Sequence, residues 1–232
     1  SSGEMVHPVQ IMNGVYLQNN KSSSLGSMLD SVPGVSNGSW GDNVGRPVIR
    51  GMDRNRVKIL NNGMAVKDVS NVAGDHAISV DSLSSEQIEI VKGPETILYG
   101  GGAIGGVVNI IDYRIHPEFV EGVMGKYSAS YGGANSASSN SMLVDIGSGN
   151  LMFHLDLYNR NAKGLKIPGF SVSKKLADSD DEFTRGKYGD GILQNSYNET
   201  LGGGVGATYF FNNGYTGLSF AKHEQEYGNI LE

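Results

Sequence analysis

"YGGGAIGGVVNIID", residues 99–112, sets Gly100, Gly102 and Gly105 in the Gly-x-Gly-x-x-Gly spacing of a dinucleotide-binding fingerprint. That fingerprint holds a pyrophosphate only when a strand leads into the glycines and a helix leads out, because the phosphate rests on the helix N-terminus. Here the order is reversed. Upstream, Gly93-Pro94-Glu95-Thr96-Ile97-Leu98 predicts a short helix with proline in its first turn. Downstream, Val107, Val108, Ile110 and Ile111 form a β-branched run that predicts a strand. With no helix to receive the phosphate, a nicotinamide or flavin enzyme is not expected, and the glycines need another role.

Outward from this stretch, residues 1 to about 117 mix short helix and strand signals. Ser24 to Leu29 is a short amphipathic stretch closed by "SVPGVS", where proline and glycine force a turn. Pro47-Val48-Ile49-Arg50-Gly51 predicts a short strand stopped by glycine. Arg56 to Leu60 alternates apolar and basic residues ahead of a hairpin-type "NNG" turn. Ser84-Ser85-Glu86 opens a turn before Ile88-Glu89-Ile90-Val91, another alternating strand. The expectation is a small α+β module.

From Glu118 onward the period becomes two over long stretches. Leu151, Phe153, Leu155 and Leu157 alternate with Met152, His154, Asp156, Tyr158 and Arg160. Val123, Gly125, Tyr127, Ala129 and Tyr131 repeat the pattern, as do Val205, Ala207, Tyr209 and Phe211. Connections alternate between short turns such as Asn212-Asn213-Gly214 and a long one from about Gly164 to Asn198. Two architectures answer to this pattern: a transmembrane β-barrel wall, apolar face to lipid, or a soluble antiparallel sheet with one buried face. Periodicity does not separate them.

Composition narrows the classes. The chain has 232 residues, a formal net charge of −6, no cysteine, and 34 glycines, about twice the usual share. Many glycines with few prolines and no collagen period indicate a turn-rich β-protein. The acidic balance, without a basic stripe, gives no nucleic-acid partner. Residues 1–25 carry no basic leader with an apolar core. No Gly-x-Ser-x-Gly elbow, Walker sequence or His-Glu-x-x-His is present, so no catalytic residues and no enzyme activity are expected.

"VPGV", then "RPVIRG", then "IEIVKGPETILYGGGAIGGVVNIID" together resemble the plug domain of TonB-dependent outer-membrane receptors. The resemblance implies a plug over residues 1–117, followed over 118–232 by about five strands of a transmembrane β-barrel. Gly93, Gly100, Gly102 and Gly105 then resemble the plug's tight turns between helix and strand. An open wall of so few strands would leave backbone unpaired in lipid. The sequence is therefore expected to be an N-terminal portion of a receptor whose barrel has about twenty-two strands. The partners implied are TonB with its inner-membrane energising complex, outer-membrane lipid, and a metal ion or metal complex; the location implied is the Gram-negative outer membrane. The short extended motif that recruits TonB is not legible in "SSGEMVHPVQIM".

"SNVAGDHAISVDSLSSEQIEIVKGP" resembles, within that family, receptors of the zinc-uptake type typified by ZnuD. The resemblance implies that Asp75 and His76 contribute to a metal site facing the outside, with zinc as transported substrate and no resident cofactor. Zinc accepts nitrogen and carboxylate ligands, and adjacent loop residues can both reach one ion where the backbone turns. A hydrogen bond between His76 and a neighbouring carboxylate is the plainer reading of the same pair.

His223 and Glu224, with Glu226, are further candidate ligands near the end of the fifth strand, or else a solvated strand end. His154, alternating with the apolar face, is expected to point into the lumen and make a polar contact; His7 and His116 have no chemical context. Arg50, Glu89 and Lys92 are implied by the resemblance to hold the plug in the barrel through charged contacts; by alternation alone they are exposed charges. Other expectations stay open: a ferric-siderophore or haem receptor of the same family, and a β-rich surface binding or adhesion protein that transports nothing.

Overall fold

The computed structural model describes residues 9–39, 41, 43–80, 82–133, 135–171, 175 and 190–228. The chain divides into two compact units, residues 1–113 and 114–232.

The first unit runs β1 (Val9–Asn13), α1 (Gly14–Asn19), α2 (Leu25–Leu29), β2 (Val35–Ser39), β3 (Gly45–Ile49), β4 (Val57–Asn61), β5 (Met64–Ala65), β6 (Gln87–Val91) and β7 (Gly106–Ile111). Helix α2 begins where Ser24 Oγ accepts the Ser27 N–H at 3.3 Å, the usual role of a serine N-cap. It packs on the β2–β3 hairpin. The main sheet has the order β1-β6-β7-β4-β5, with β4 and β7 parallel and the remaining neighbours antiparallel. Apolar side chains at Met12, Leu17, Met28, Leu29, Ile49, Ile88, Ile90 and Val108 close one core.

Between β6 and β7 the chain makes a 3-10 helix, Pro94–Tyr99. Gly93, Gly100 and Gly102 flank it with φ of +104°, +79° and +88°, a backbone region that costs an L side chain strain. At Gly105 a Cβ would lie 2.8 Å from Met52 Cβ and 3.0 Å from the Arg56 carbonyl oxygen. These glycines turn and fit the chain, which leaves them as strand β7, in line with the β-branched run.

The second unit runs β8 (Gly122–Tyr131), β9 (Ser138–Ser148), β10 (Leu151–Ala162), β11 (Lys166–Phe170), β12 (Asp190–Ile192), β13 (Asn198–Phe211) and β14 (Gly214–Tyr227). Five of these form an antiparallel meander in the order β14-β13-β10-β9-β8, while β11 and β12 pair with each other in the long connection. Gly149-Asn150 and Asn212-Asn213 make the tight turns at one end.

The faces of this sheet are inverted relative to a soluble one. On β10, apolar Leu151, Phe153, Leu155 and Leu157 are 41%, 50%, 36% and 50% exposed, whereas Met152, His154, Asp156 and Tyr158 are 1–4% exposed. Leu201, Val205 and Tyr209 on β13 and Leu218 and Phe220 on β14 continue the exposed apolar face. A sheet that covers its polar side and bares its leucines has the alternation of a membrane barrel wall.

The segment leading into β8 covers the polar side. The His116 N–H donates to Thr208 Oγ1 at 3.0 Å, and the Val120 N–H donates to Met152 Sδ at 3.3 Å. Residues 202–204 and 206 are glycines, and a Cβ on Gly206 would overlap the Arg114 carbonyl, one on Gly204 the Arg114 guanidinium. Part of the glycine excess is thus a groove in the wall for one crossing strand of chain.

Candidate metal-binding sites

Asp75 and His76 sit in the irregular segment after the 3-10 turn Val69–Asn71. Two anchors shape that segment. Asp68 accepts the Ser79 N–H at 2.7 Å and also the Ser70 hydroxyl. From β3, the buried Arg46 guanidinium donates to the carbonyls of Ser70 (2.7 Å), Ala73 (3.2 Å) and His76 (3.3 Å). Burial pulls the Arg46 pKa below its ordinary value, against the neighbouring carboxylates of Asp53, Asp68 and Asp75. Arginine remains charged under such a shift, so the clamp persists.

Held this way, the side chains of Asp75 and His76 turn to one another, with Nδ1 3.2 Å from Oδ1 and the two side chains 40% and 46% exposed. The hydrogen bond from His76, then the Asp75 backbone N–H, hold the Asp75 carboxyl below its ordinary value of 3.8. The pair offers one carboxylate oxygen and one imidazole nitrogen at an open surface: half of a tetrahedral zinc shell.

His223 and Glu224 do not share a face. As strand neighbours they project to opposite sides of β14. His223 Nδ1 meets the Tyr158 hydroxyl at 3.1 Å on the covered side, while Glu224 pairs with Lys222 at 2.5 Å in solvent-exposed surroundings. Glu226 accepts a long 3.5 Å bond from the Tyr197 hydroxyl.

In the first unit, Glu89 accepts from Gln87 Nε2 (3.0 Å) and Asn109 Nδ2 (3.1 Å). Lys92 Nζ donates to Gln10 Oε1 (2.5 Å) and the Pro33 carbonyl (2.6 Å); burial, with Arg50 nearby, lowers its pKa. Arg50 is exposed with φ of +53° at the end of β3. His7 and the rest of residues 1–8, where a TonB-recruiting motif is not legible, lie outside the described residues.

The most concentrated chemistry falls on residues to which the sequence pattern alone gives no role in binding. His154 on β10 stands directly across from Asp145 on β9 and Gly206 on β13. His154 Nδ1 is 2.7 Å from Asp145 Oδ1, and its Nε2 is 3.1 Å from Asp156 Oδ1. His116, from the crossing segment, brings Nε2 to 2.9 Å from the same Asp145 Oδ1. Arg114 grips Asp156 with both prongs, Nε to Oδ1 at 2.6 Å and Nη2 to Oδ2 at 3.0 Å. All five side chains are 12% exposed or less. The signal available in sequence was a histidine and an aspartate two apart on the polar side of an amphipathic strand; nothing local pointed to His116 or Asp145.

Residues 3–107 match a family model described as the TonB-dependent receptor plug domain. The fold is similar to that of the copper transporter OprC (TM-score 0.71, 18% identity), over 95% of this chain and 31% of that one. A variant of the ferric enterobactin receptor PfeA from Pseudomonas aeruginosa is similar at a TM-score of 0.62 and 18% identity, over 94% of this chain and 33% of that one. The siderophore receptor PirA from Acinetobacter baumannii is similar at 0.63 and 17%, over 95% and 32%. The chain therefore spans about a third of the length of these solved structures.

Proposed function

We propose that this chain, a TonB-dependent receptor plug domain followed by barrel-type strands, is the N-terminal part of a receptor in the Gram-negative outer membrane that imports a metal, zinc, without catalysing a reaction. Asp75 and His76 supply the plug's ligands, and further ligands come from the rest of the receptor. Energy delivered through TonB then rearranges the plug and opens a path. The observation that carries the reading is the exposed Asp75–His76 pair on a loop clamped from beneath by Arg46. Two ligand atoms held near each other in advance lose little freedom when a metal arrives. The inverted faces of the second unit support a membrane wall over a soluble adhesion module.

Copper transport in the name of one structural neighbour supports a metal substrate; the siderophore receptors among the others favour, as a second reading, a ferric chelate. Zinc binding to the full-length receptor in detergent separates the two. Asp75→Ala and His76→Ala are each expected to lose one equivalent of bound Zn2+ and growth on limiting zinc. An unchanged count of bound zinc in both variants would overturn the assignment of the site, and iron-chelate uptake would then be the assay to run.

A further inference from the structure

We infer that His116, Asp145 and His154 form a second binding site for a divalent transition-metal ion, buried on the covered face of the barrel-type sheet. Their ligand atoms all lie within 4.8 Å of one another. The inference goes beyond the proposed function and does not depend on Asp75 or His76.

The argument begins with His154. Both of its ring nitrogens face carboxylate oxygens, at 2.7 Å and 3.1 Å. A neutral imidazole donates from one nitrogen only; the other then aims a lone pair at an anion. A positive species, a second ring proton or a metal ion, occupies one side. Arg114 grips Asp156 with both prongs, so that carboxylate is held in place beside Nε2, while Asp145 is shared with His116. With an ion on the Asp145 side, Nδ1 is the ligand atom and Nε2–H donates to the held Asp156. A carboxylate holding the far N–H of an imidazole is the arrangement that orients histidine ligands at metal sites and fixes their tautomer.

On the Asp145 side, one oxygen faces His154 Nδ1 and, at 2.9 Å, His116 Nε2. Arg114 and Asp156 pair in charge, which leaves Asp145 as the carboxylate an ion would meet, and a bound ion would displace the ring protons on its side of His154 and His116. Two imidazole nitrogens and one carboxylate oxygen suit zinc, copper, nickel or cobalt, and not calcium or magnesium, which prefer oxygen shells. Gly206 and Gly204, across from His154 and Asp156, let the Arg114 backbone and guanidinium lie close against the sheet, and this brings His116 to Asp145. An ion here ties His116 of the crossing segment to β9 and β10.

The test uses full-length receptor, stripped with chelator and carrying Asp75→Ala and His76→Ala so that the exposed pair is silent. Co2+ is added, excess is removed, and bound metal is counted together with its visible absorption and its X-ray absorption fine structure. This parent is expected to retain Co2+ with imidazole scatterers. His116→Gln and His154→Gln are each expected to lose one equivalent and its spectrum. His116 lies outside the strands, so its variant serves if His154→Gln does not fold, judged by heat-modifiable migration. No Co2+ in the parent, or the same count in the folded variants, would overturn the inference and place a proton on His154 Nδ1 instead. If the exposed pair does not bind metal, the intact receptor and the parent give equal counts, which is a separate result.

Discussion

The Arg46 guanidinium, rising from strand β3, donates to the backbone carbonyl of His76 across 3.3 Å. The same group also holds the carbonyls of Ser70 and Ala73, so one buried side chain organises the loop that displays the candidate zinc ligands.

Replacing Arg46 by methionine keeps the stem and removes the donors. Leaving those carbonyls without partners is expected to cost about 1–3 kcal/mol of stability. Zinc affinity at the Asp75–His76 pair is expected to fall about 10- to 100-fold, the usual effect of losing a residue that orients ligands. Arg46→Lys should rescue little, since an ammonium is a point donor and cannot span the carbonyls. Zinc titration and amide exchange across residues 68–80 check both effects; normal exchange and affinity in Arg46→Met would contradict the clamp.

The Asp75 carboxyl titrates below its ordinary 3.8 chiefly because His76 hydrogen-bonds it. A depressed folded-state value means that the pair's contribution is present above the ordinary carboxyl range and fades as pH falls through the folded value. His76→Ala should therefore move the Asp75 midpoint upward, toward 3.8. Carboxyl carbon shifts in aspartate-labelled protein report it, and an unmoved midpoint would mean that the hydrogen bond does not form in solution.

Gly206 leaves the space in which the Arg114 backbone crosses β13. Gly206→Ala forces that segment away and is expected to destabilise the folded wall by about 1–3 kcal/mol, as overpacking does. Gly133→Ala, with nothing within 4 Å of the added carbon, is the matched control and should be neutral. Urea unfolding of the protein in lipid vesicles compares the two.

Leu155 points outward from β10 at 36% exposure, between Phe153 and Leu157 on the same apolar face. If that face meets lipid, Leu155→Arg lowers folding stability in bilayers by about 2–4 kcal/mol near the midplane. A water-facing position would tolerate arginine within about 0.5 kcal/mol. Folding titrations into vesicles distinguish these values directly.

Much of this architecture is local and is legible along the chain. Ser24 ahead of Leu25–Leu29 marks a helix start, Pro94 marks the short helix after β6, and the run Val107–Ile111 marks β7. The alternation through Leu151–Leu157 likewise requires only a period of two. The site is less legible. The Asp75–His76 pair can be picked out because its members are adjacent, but the residue that positions them lies some thirty positions earlier, on β3. His223 and Glu224 are adjacent too, but there a strand sends the neighbours to opposite faces.

The sequence by itself determined the repeat, the turns, the caps and the absence of a phosphate-binding helix after the glycines, because each depends on residues within a few positions of one another. Only the tertiary structure decided which side of the repeat is covered, since alternation is symmetric between a leucine face turned inward and one turned outward. It alone brought His116, Asp145 and His154 together. The pairing of β9 with β10 sets Asp145 across from His154, and the glycines of β13 admit the crossing segment that carries His116. Strand register and close backbone approach are properties of long-range packing, and no window along the chain encodes them.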